Sequence, residues 1–230
     1  MRNLAIVGYG KMGRLIEQLA PEFGLLVALR LDIDNNQDGS GITAENFRSI
    51  DVAVEFSTPA TAVDNVERIA AHGVHLVVGT TGWFEQLDRV RRAVERGGGG
   101  LVYSPNFSVG MQIFARLAAL AAQCFKDEPD YGAWAYEIHH KLKKDAPSGT
   151  LLKLQQVMEQ AGYARPIDVA SNRAGAIPGL HRIGFDSEAD TITLTHSARS
   201  RLGFARGALR AAQWVMGKTG VHEFSEVLFS

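Results

Sequence analysis

At 230 residues, with 46% hydrophobic and 21% charged residues, the chain is long enough for one large α/β domain or two modest ones and too apolar to be disordered. Its 24 basic and 25 acidic residues nearly cancel to a formal net charge of -1, which excludes a global pull toward nucleic acid or anionic membrane. The single cysteine, Cys124, excludes an intrachain disulfide, fits a reducing cytoplasm and, lying in an apolar helical run, is expected to be a buried, inert thiol.

Leu4 to Val7 is a short apolar run ended by glycines, as in a strand buried on both faces of a parallel sheet. It is far below the apolar length of a signal peptide or a membrane span. From Lys11 to Ala20 the residues Met12, Leu15, Ile16 and Leu19 recur at helical spacing, and Pro21 closes the segment. Strand-like runs follow at Leu25 to Leu31, Val52 to Phe56, Val74 to Val78 and Leu101 to Tyr103, with helical patterns at Ala60 to Ala71 and Phe84 to Val94 between them. This alternation is that of βαβ units on a parallel sheet.

After Tyr103 the pattern changes. Ser104-Pro105-Asn106-Phe107-Ser108 is a loop, a long apolar helix runs from about Val109 to Cys124, and a domain boundary is expected here. Later strands alternate apolar and polar residues, as at Trp134, Tyr136 and Ile138 or in Thr191 to Thr195, so the second half has an α+β character. An Ala-rich helix from Phe204 to Met216 is expected to return to the first domain.

Gly8-Tyr9-Gly10-Lys11-Met12-Gly13 matches G-x-G-x-x-G between a strand and a helix, the context in which that motif binds a dinucleotide. Helix N-terminal N–H groups would meet the pyrophosphate. Asp32 ends the second strand about twenty residues further on, where a carboxylate accepts hydrogen bonds from the adenosine ribose. Asp34 is a fallback. Asp32 disfavours a 2′-phosphate while Lys11 and Arg14 would attract one, so NADH or NADPH remains open, with a lean to NAD(H). Gly79-Thr80-Thr81-Gly82 and the loop carrying Ser104, Asn106 and Phe107 follow strands at the same sheet edge and are candidates to line the nicotinamide pocket.

The most informative stretch joins a strand to a helix: Glu137-Ile138-His139-His140-Lys141-Leu142-Lys143-Lys144-Asp145-Ala146-Pro147-Ser148-Gly149-Thr150. Ser148 is the candidate N-cap, leaving Gly149 and Thr150 to present N–H groups to a carboxylate. Two histidines and three lysines converge on the same loop, offering a proton donor near neutral pH and cations for an anionic substrate. Lys141 and Lys144 are assigned to a solvated face. His72, His75 and His222 are read as surface or packing residues, and His181 and His196 as residues that order the sheet. No Cys/His ligand spacing suggests a metal.

With these residues in view the chain resembles the 4-hydroxy-tetrahydrodipicolinate reductases, also called dihydrodipicolinate reductases. The resemblance rests on Glu137, His139-His140, Lys143 and Asp145 to Thr150, with Gly79 to Gly82 and Ser104 to Gly110, and continues through Arg173-Ala174-Gly175, His181, His196, Arg201 and Phe204-Ala205. It implies an α/β fold, a Rossmann-type parallel sheet with an inserted α+β substrate and oligomerisation domain. The dinucleotide domain would comprise residues 1–106 and 202–230, the inserted one residues 107–201. It further implies a cytoplasmic homotetramer that uses NADH or NADPH to reduce a small dicarboxylate, without nucleic-acid or membrane partners. Within it His139 would be the acid/base, Lys143 the second proton donor and carboxylate clamp, and His140, Gly149 and Thr150 substrate binders. Hydride addition to the conjugated ring leaves negative charge on carbon, which a nearby cationic donor stabilises and protonates; the residues leave open whether His139 or Lys143 finishes that step. A related dehydrogenase with another substrate, or a non-catalytic dinucleotide sensor, are the competing readings.

Overall fold

The computed structural model describes residues 1–229 and divides into two compact units, one made of Met1–Ser108 with the segment from Leu202 onward, the other of Val109–Arg201. The chain opens with β1 (Arg2–Val7), α1 (Lys11–Leu19), β2 (Leu25–Leu31), the short α2 (Ala44–Phe47), β3 (Val52–Glu55), α3 (Pro59–Ala70), β4 (His75–Val78), α4 (Leu87–Gly97) and β5 (Gly100–Tyr103). The second unit holds α5 (Val109–Phe125), β6 (Gly132–His139), α6 (Gly149–Gln160), β7 (Ile167–Arg173), β8 (Gly179–Asp186) and β9 (Thr191–Ala198). The chain returns to the first unit with α7 (Leu202–Val215), β10 (Gly220–Glu223) and α8 (Phe224–Phe229).

In the first unit six strands lie in the order β10-β5-β4-β3-β1-β2, and every neighbouring pair is parallel. Leu4, Ala5, Ile6 and Val7 are each at most 1% exposed, because helices cover both faces of the sheet. This is why β1 reads as an unbroken apolar run rather than an alternating one. The register pairs Val7 with Glu55, Glu55 with Val78 and Val78 with Tyr103, so the strands end level. Loops after β1, β3, β4 and β5 therefore emerge at one edge, where open parallel sheets bind ligands.

Pro21 does not simply stop α1. It lies in a 3-10 turn, Ala20–Phe23, that runs on to Gly24 in the left-handed region. The first unit also extends two residues beyond the expected boundary at 106. Phe107 is 2% exposed, with its ring against Phe56 and Phe224, and Gly207 of α7 lies so close that a Cβ there would fall 1.7 Å from the Phe107 carbonyl oxygen.

In the second unit the sheet order is β7-β6-β8-β9, with β6 and β7 parallel and the other pairs antiparallel. Helices α5 and α6 pack on the face bearing Ala133, Ala135, Ile183 and Phe185, through Met111, Phe114, Leu151, Leu154 and Met158. Trp134, Tyr136 and Ile138 point the other way and are half-buried, the strict alternation of a sheet with unlike faces. Cys124 is exposed, not buried: α5 turns Met111, Phe114, Ala118 and Ala122 inward, and at helical spacing Cys124 falls on the opposite side, the side of the exposed Ile113, Leu117 and Leu120.

Candidate active site

In the first unit the glycine loop has the shape its sequence requires. Gly8 has φ +93°, and a Cβ there would lie 2.3 Å from the carbonyl oxygen of Phe56, so neither the backbone angle nor the space admits a side chain. A Cβ on Gly13 would lie 2.5 Å from the carbonyl oxygen of Gly8, which is the close helix–strand approach. Gly10 caps α1 and would meet nothing within 4 Å, so the approach to the helix N-terminus is open. With no side-chain cap and no acidic residue in its first turn, α1 presents N–H groups suited to a pyrophosphate.

The flanking side chains form a charged cluster. Glu17 accepts from the Tyr9 hydroxyl and from Arg30, whose Nε lies at 2.7 Å, while the Arg14 guanidinium lies over the Tyr9 ring at 5.7 Å. Arg30, the basic residue nearest the end of β2, is thus already neutralised. Lys11 and Asp32 are exposed and Met12 is half-buried.

The loops after β4 and β5 are positioned from inside. A Cβ on Gly79 would run into the Phe56 ring at 2.1 Å, and the buried Trp83 donates from Nε1 to the Thr80 carbonyl at 2.7 Å. Thr81 is exposed and Asn106 half-buried, whereas Thr80, Ser104 and Phe107 are buried. The Ser104 hydroxyl donates to the Asn106 carbonyl at 2.9 Å and accepts the Asn106 N–H at 3.1 Å, so it shapes its own loop.

In the second unit Glu137 organises the stretch that follows it. Its carboxylate is 0% exposed and accepts the Ser148 N–H at 2.9 Å, the Ser148 hydroxyl, the Ser171 hydroxyl at 3.0 Å and Arg173 Nη2 at 2.9 Å. Burial pushes its pKa up, but the hydrogen bonds from Ser148, Arg173 and Ser171 together outweigh burial and bring it down to about 2. Arg173 also donates to the Asp145 carbonyl, tying β7 to the middle of the loop.

His139 sits two residues beyond Glu137 on the same strand face, with its Nε2 3.3 Å from Glu137 Oε2 and its Nδ1 3.2 Å from the Pro178 carbonyl oxygen. A carbonyl only accepts, so Nδ1 carries the proton in the neutral ring and Nε2 faces the carboxylate. Burial lowers the His139 pKa, Glu137 opposes this, and Lys143 and Arg173 add to it. Across β8 the His181 ring stands edge-on to His139 at 5.1 Å, its Nε2 3.5 Å from Glu137 Oε2, with its pKa lowered to about 4 by burial first and then by His139. The sequence assigned His181 to ordering the sheet. That strand pairing sets Glu137 directly opposite His181 was not readable, because the register between distant strands leaves no local signal.

Glu137, His139 and His181 place three side chains of metal-ligating type with their ligand atoms within 4.8 Å of one another. Both carboxylate oxygens already accept hydrogen bonds, and the guanidinium of Arg173 lies against one of them, so a cation would displace donors and meet like charge.

Lys143 is held by Asp145 through Nζ contacts of 2.8 and 2.9 Å, its side chain one-quarter exposed; this pairing lowers the Asp145 pKa. His140 is half-buried, and Lys141 and Lys144 are exposed. Ser148 caps α6 by accepting the Leu151 N–H at 3.2 Å, and Gly149 opens onto free space, with nothing within 4 Å of its would-be Cβ. The fold thus ties His139 and the start of α6 to one carboxylate, with His140 and Lys143 on the loop between them and Lys143 anchored by a second carboxylate, Asp145.

Models of the dihydrodipicolinate reductase family match this chain over residues 2–107, as the N-terminus of such reductases, and over residues 110–228, as their C-terminus. The 4-hydroxy-tetrahydrodipicolinate reductase of Christiangramia forsetii is 34% identical over 238 residues, 98% of this chain and 97% of that protein. The protein of the same name from Methanoregula boonei is 39% identical over 193 residues, 77% of this chain and 74% of that protein. The fold matches the dipicolinate-bound dihydrodipicolinate reductase from Paenisporosarcina sp. TG-14 with a TM-score of 0.81 over 99% of both chains, at 24% identity.

Proposed function

Because this chain belongs to the dihydrodipicolinate reductase family, we infer that it reduces 4-hydroxy-tetrahydrodipicolinate, by way of its dehydrated form, to tetrahydrodipicolinate in lysine and diaminopimelate synthesis. The cofactor of this family, NADH or NADPH, supplies the hydride. The observation that carries the assignment of the site is the Glu137 hub, which holds the His139 ring and the N-cap of α6, with Lys143 anchored by Asp145 on the loop between them.

In this proposal the loop Gly8 to Gly13 holds the pyrophosphate, Asp32 the adenosine ribose, and the loops bearing Gly79, Thr80 and Thr81 and Ser104, Asn106 and Phe107 the nicotinamide end, Phe107 through its backbone. Gly149 and Thr150 take one substrate carboxylate on their N–H groups, and His140 and Lys143 bind beside it. Lys143, cationic and partly exposed, offsets the negative charge that grows on the ring during hydride addition. His139 is the acid/base: Glu137 supplies the counter-charge for a proton at Nε2, while Pro178 fixes the ring through Nδ1. Lys143 or His139 completes the protonation of carbon.

The open face of the second sheet, with Trp134, Tyr136, Ile138 and Leu180 half-buried, supports assembly as a homotetramer through that face. No helix among the described residues is long and apolar enough to cross a membrane. The proposed location is the cytoplasm.

The test is the oxidation of NADH and of NADPH followed by absorbance, with substrate generated in situ by a coupled synthase. His139→Ala and Lys143→Ala are each expected to lower the rate by roughly 10²-fold or more. A wild-type protein that binds NADH yet never oxidises it with this substrate refutes the function; variants with wild-type rates refute the residue assignment.

A further inference from the structure

The first unit contains a buried acid that the reaction does not use. Glu55, the last residue of β3, is 0% exposed, between β1 and β4 in the middle of the parallel sheet. Its Oε1 accepts the Ser57 N–H at 3.1 Å and the Ser57 hydroxyl. From Ser57 a run of side-chain hydrogen bonds leads outward. Asn65, 3% exposed on α3, donates to Ser57 Oγ at 3.3 Å and accepts from Asn36 Nδ2 at 3.4 Å. Asn36 in turn donates its N–H to the Asp32 carbonyl at 2.8 Å and accepts the Gly41 N–H on Oδ1 at 3.1 Å. At the inner end, Glu55 Oε2 is buried with no donor at hydrogen-bonding geometry, and the neighbouring Thr80 Oγ1, also buried, has no partner either.

We propose that Glu55 is a positioning residue for dinucleotide binding, joining the loop after β3 to Thr80 in the loop after β4, at the inner end of a polar chain that begins beside Asp32. The inference rests on the reading of the glycine loop as the cofactor site. The three loops that Glu55 links are those that follow β2, β3 and β4 at the ligand edge of the sheet, so the adenosine and nicotinamide ends of the site share one internal support.

The neutral acid is the form of Glu55 that can donate across this link. Burial raises its pKa, and the donors that oppose burial are Ser57, Thr80 and Asn65; none of the groups that act most strongly on the carboxyl is charged. With Oε1 occupied by two donors, a proton on Oε2 donates to Thr80 Oγ1 and satisfies both orphaned atoms. Ionisation would leave inside the sheet a charge met by neutral donors but by no countercharge, which favours opening the loops to water. The group binds its proton more tightly folded than unfolded. Its contribution to stability, and to a cofactor site that needs the closed loops, is therefore complete below the ordinary carboxyl value of 4.5 and is lost as pH rises through the raised value. Glu137, the other fully buried carboxyl among the described residues, is ionised and titrates in the opposite sense.

The test is the NADH dissociation constant, read from NADH fluorescence with no substrate present, from about pH 6 to about pH 9. It is measured for wild type and Glu55→Gln, whose amide keeps the neutral form at every pH. The wild-type constant is expected to rise with pH across that range, and the variant to stay flat at the low-pH value. Should Glu55→Gln not fold, infrared difference spectra of wild type with and without NADH replace it, and a carboxylic-acid carbonyl band that shifts on binding is expected. Binding with parallel profiles in the two proteins, or no acid band, overturns the inference alone. No NADH binding at any pH overturns the cofactor-site reading and the inference with it.

Discussion

Replacing Glu137 with Gln tests the hub of the second unit, because it keeps the shape and removes the charge. The carboxylate is fully buried, and its pKa falls from 4.5 to about 2 on folding. A shift of about 2.5 units corresponds to about 3 kcal/mol of stability at neutral pH, at about 1.36 kcal/mol per unit. The variant also turns an amide N–H toward groups that are themselves donors, leaving Arg173 without its anion; breaking a buried pair in this way costs about 3–5 kcal/mol. Urea denaturation at about pH 7 should thus show a deficit of about 3 kcal/mol, equivalent to roughly 6–12 °C in Tm for a chain of this length. A depressed carboxyl stabilises above its unfolded pKa, and the stabilisation is lost as pH falls through the folded value. The deficit should accordingly shrink below about pH 4.5 and be about half as large at about pH 3. A deficit below about 1 kcal/mol at neutral pH, or one that does not change on acidification, would show that Glu137 is not the electrostatic anchor described here.

Other consequences can be checked in the same way. Ser148→Ala removes both the cap on Leu151 and a donor to Glu137, so it should cost about 1–2 kcal/mol in denaturation and raise the KM for substrate. A loss of stability with unchanged KM would detach the α6 N-terminus from substrate binding. Gly8→Ala forces a side chain onto the Phe56 carbonyl at an unfavourable φ; it should cost at least about 2 kcal/mol and abolish NADH binding, and near wild-type affinity in calorimetry would contradict the loop geometry. His181, whose pKa drops from 6.5 to about 4 on folding, stabilises as the neutral ring above about pH 6.5 and loses that contribution as pH falls toward 4. His181→Gln should lessen the loss of stability between about pH 6.5 and pH 5 by about 1–2 kcal/mol, seen as urea midpoints that vary less with pH than in wild type.

Much of the first unit is legible in the chain because its determinants are local. Buried parallel strands must be continuous apolar runs, the helices between them show helical spacing, and the glycines at 8, 10 and 13 stand where a strand gives way to a helix. The alternation of Ala133 to His139 likewise announces a sheet with unlike faces, and the candidate substrate residues lie within a dozen positions of one another. What the tertiary structure alone decides is which distant groups meet. The pairing of β6 with β8 brings His181 to Glu137 and His139, and β7 adds Ser171 and Arg173. The inward face of α5, chosen by the sheet it covers, leaves Cys124 outside. Glu55 appears in the sequence as one acidic residue closing an apolar strand, and its burial follows from loops that come from separate βαβ units. Periodicity and turn chemistry act over a few residues and are written in order along the chain; burial, pKa and hydrogen-bond partnership depend on strand order and register, which are settled only when the whole sheet has formed.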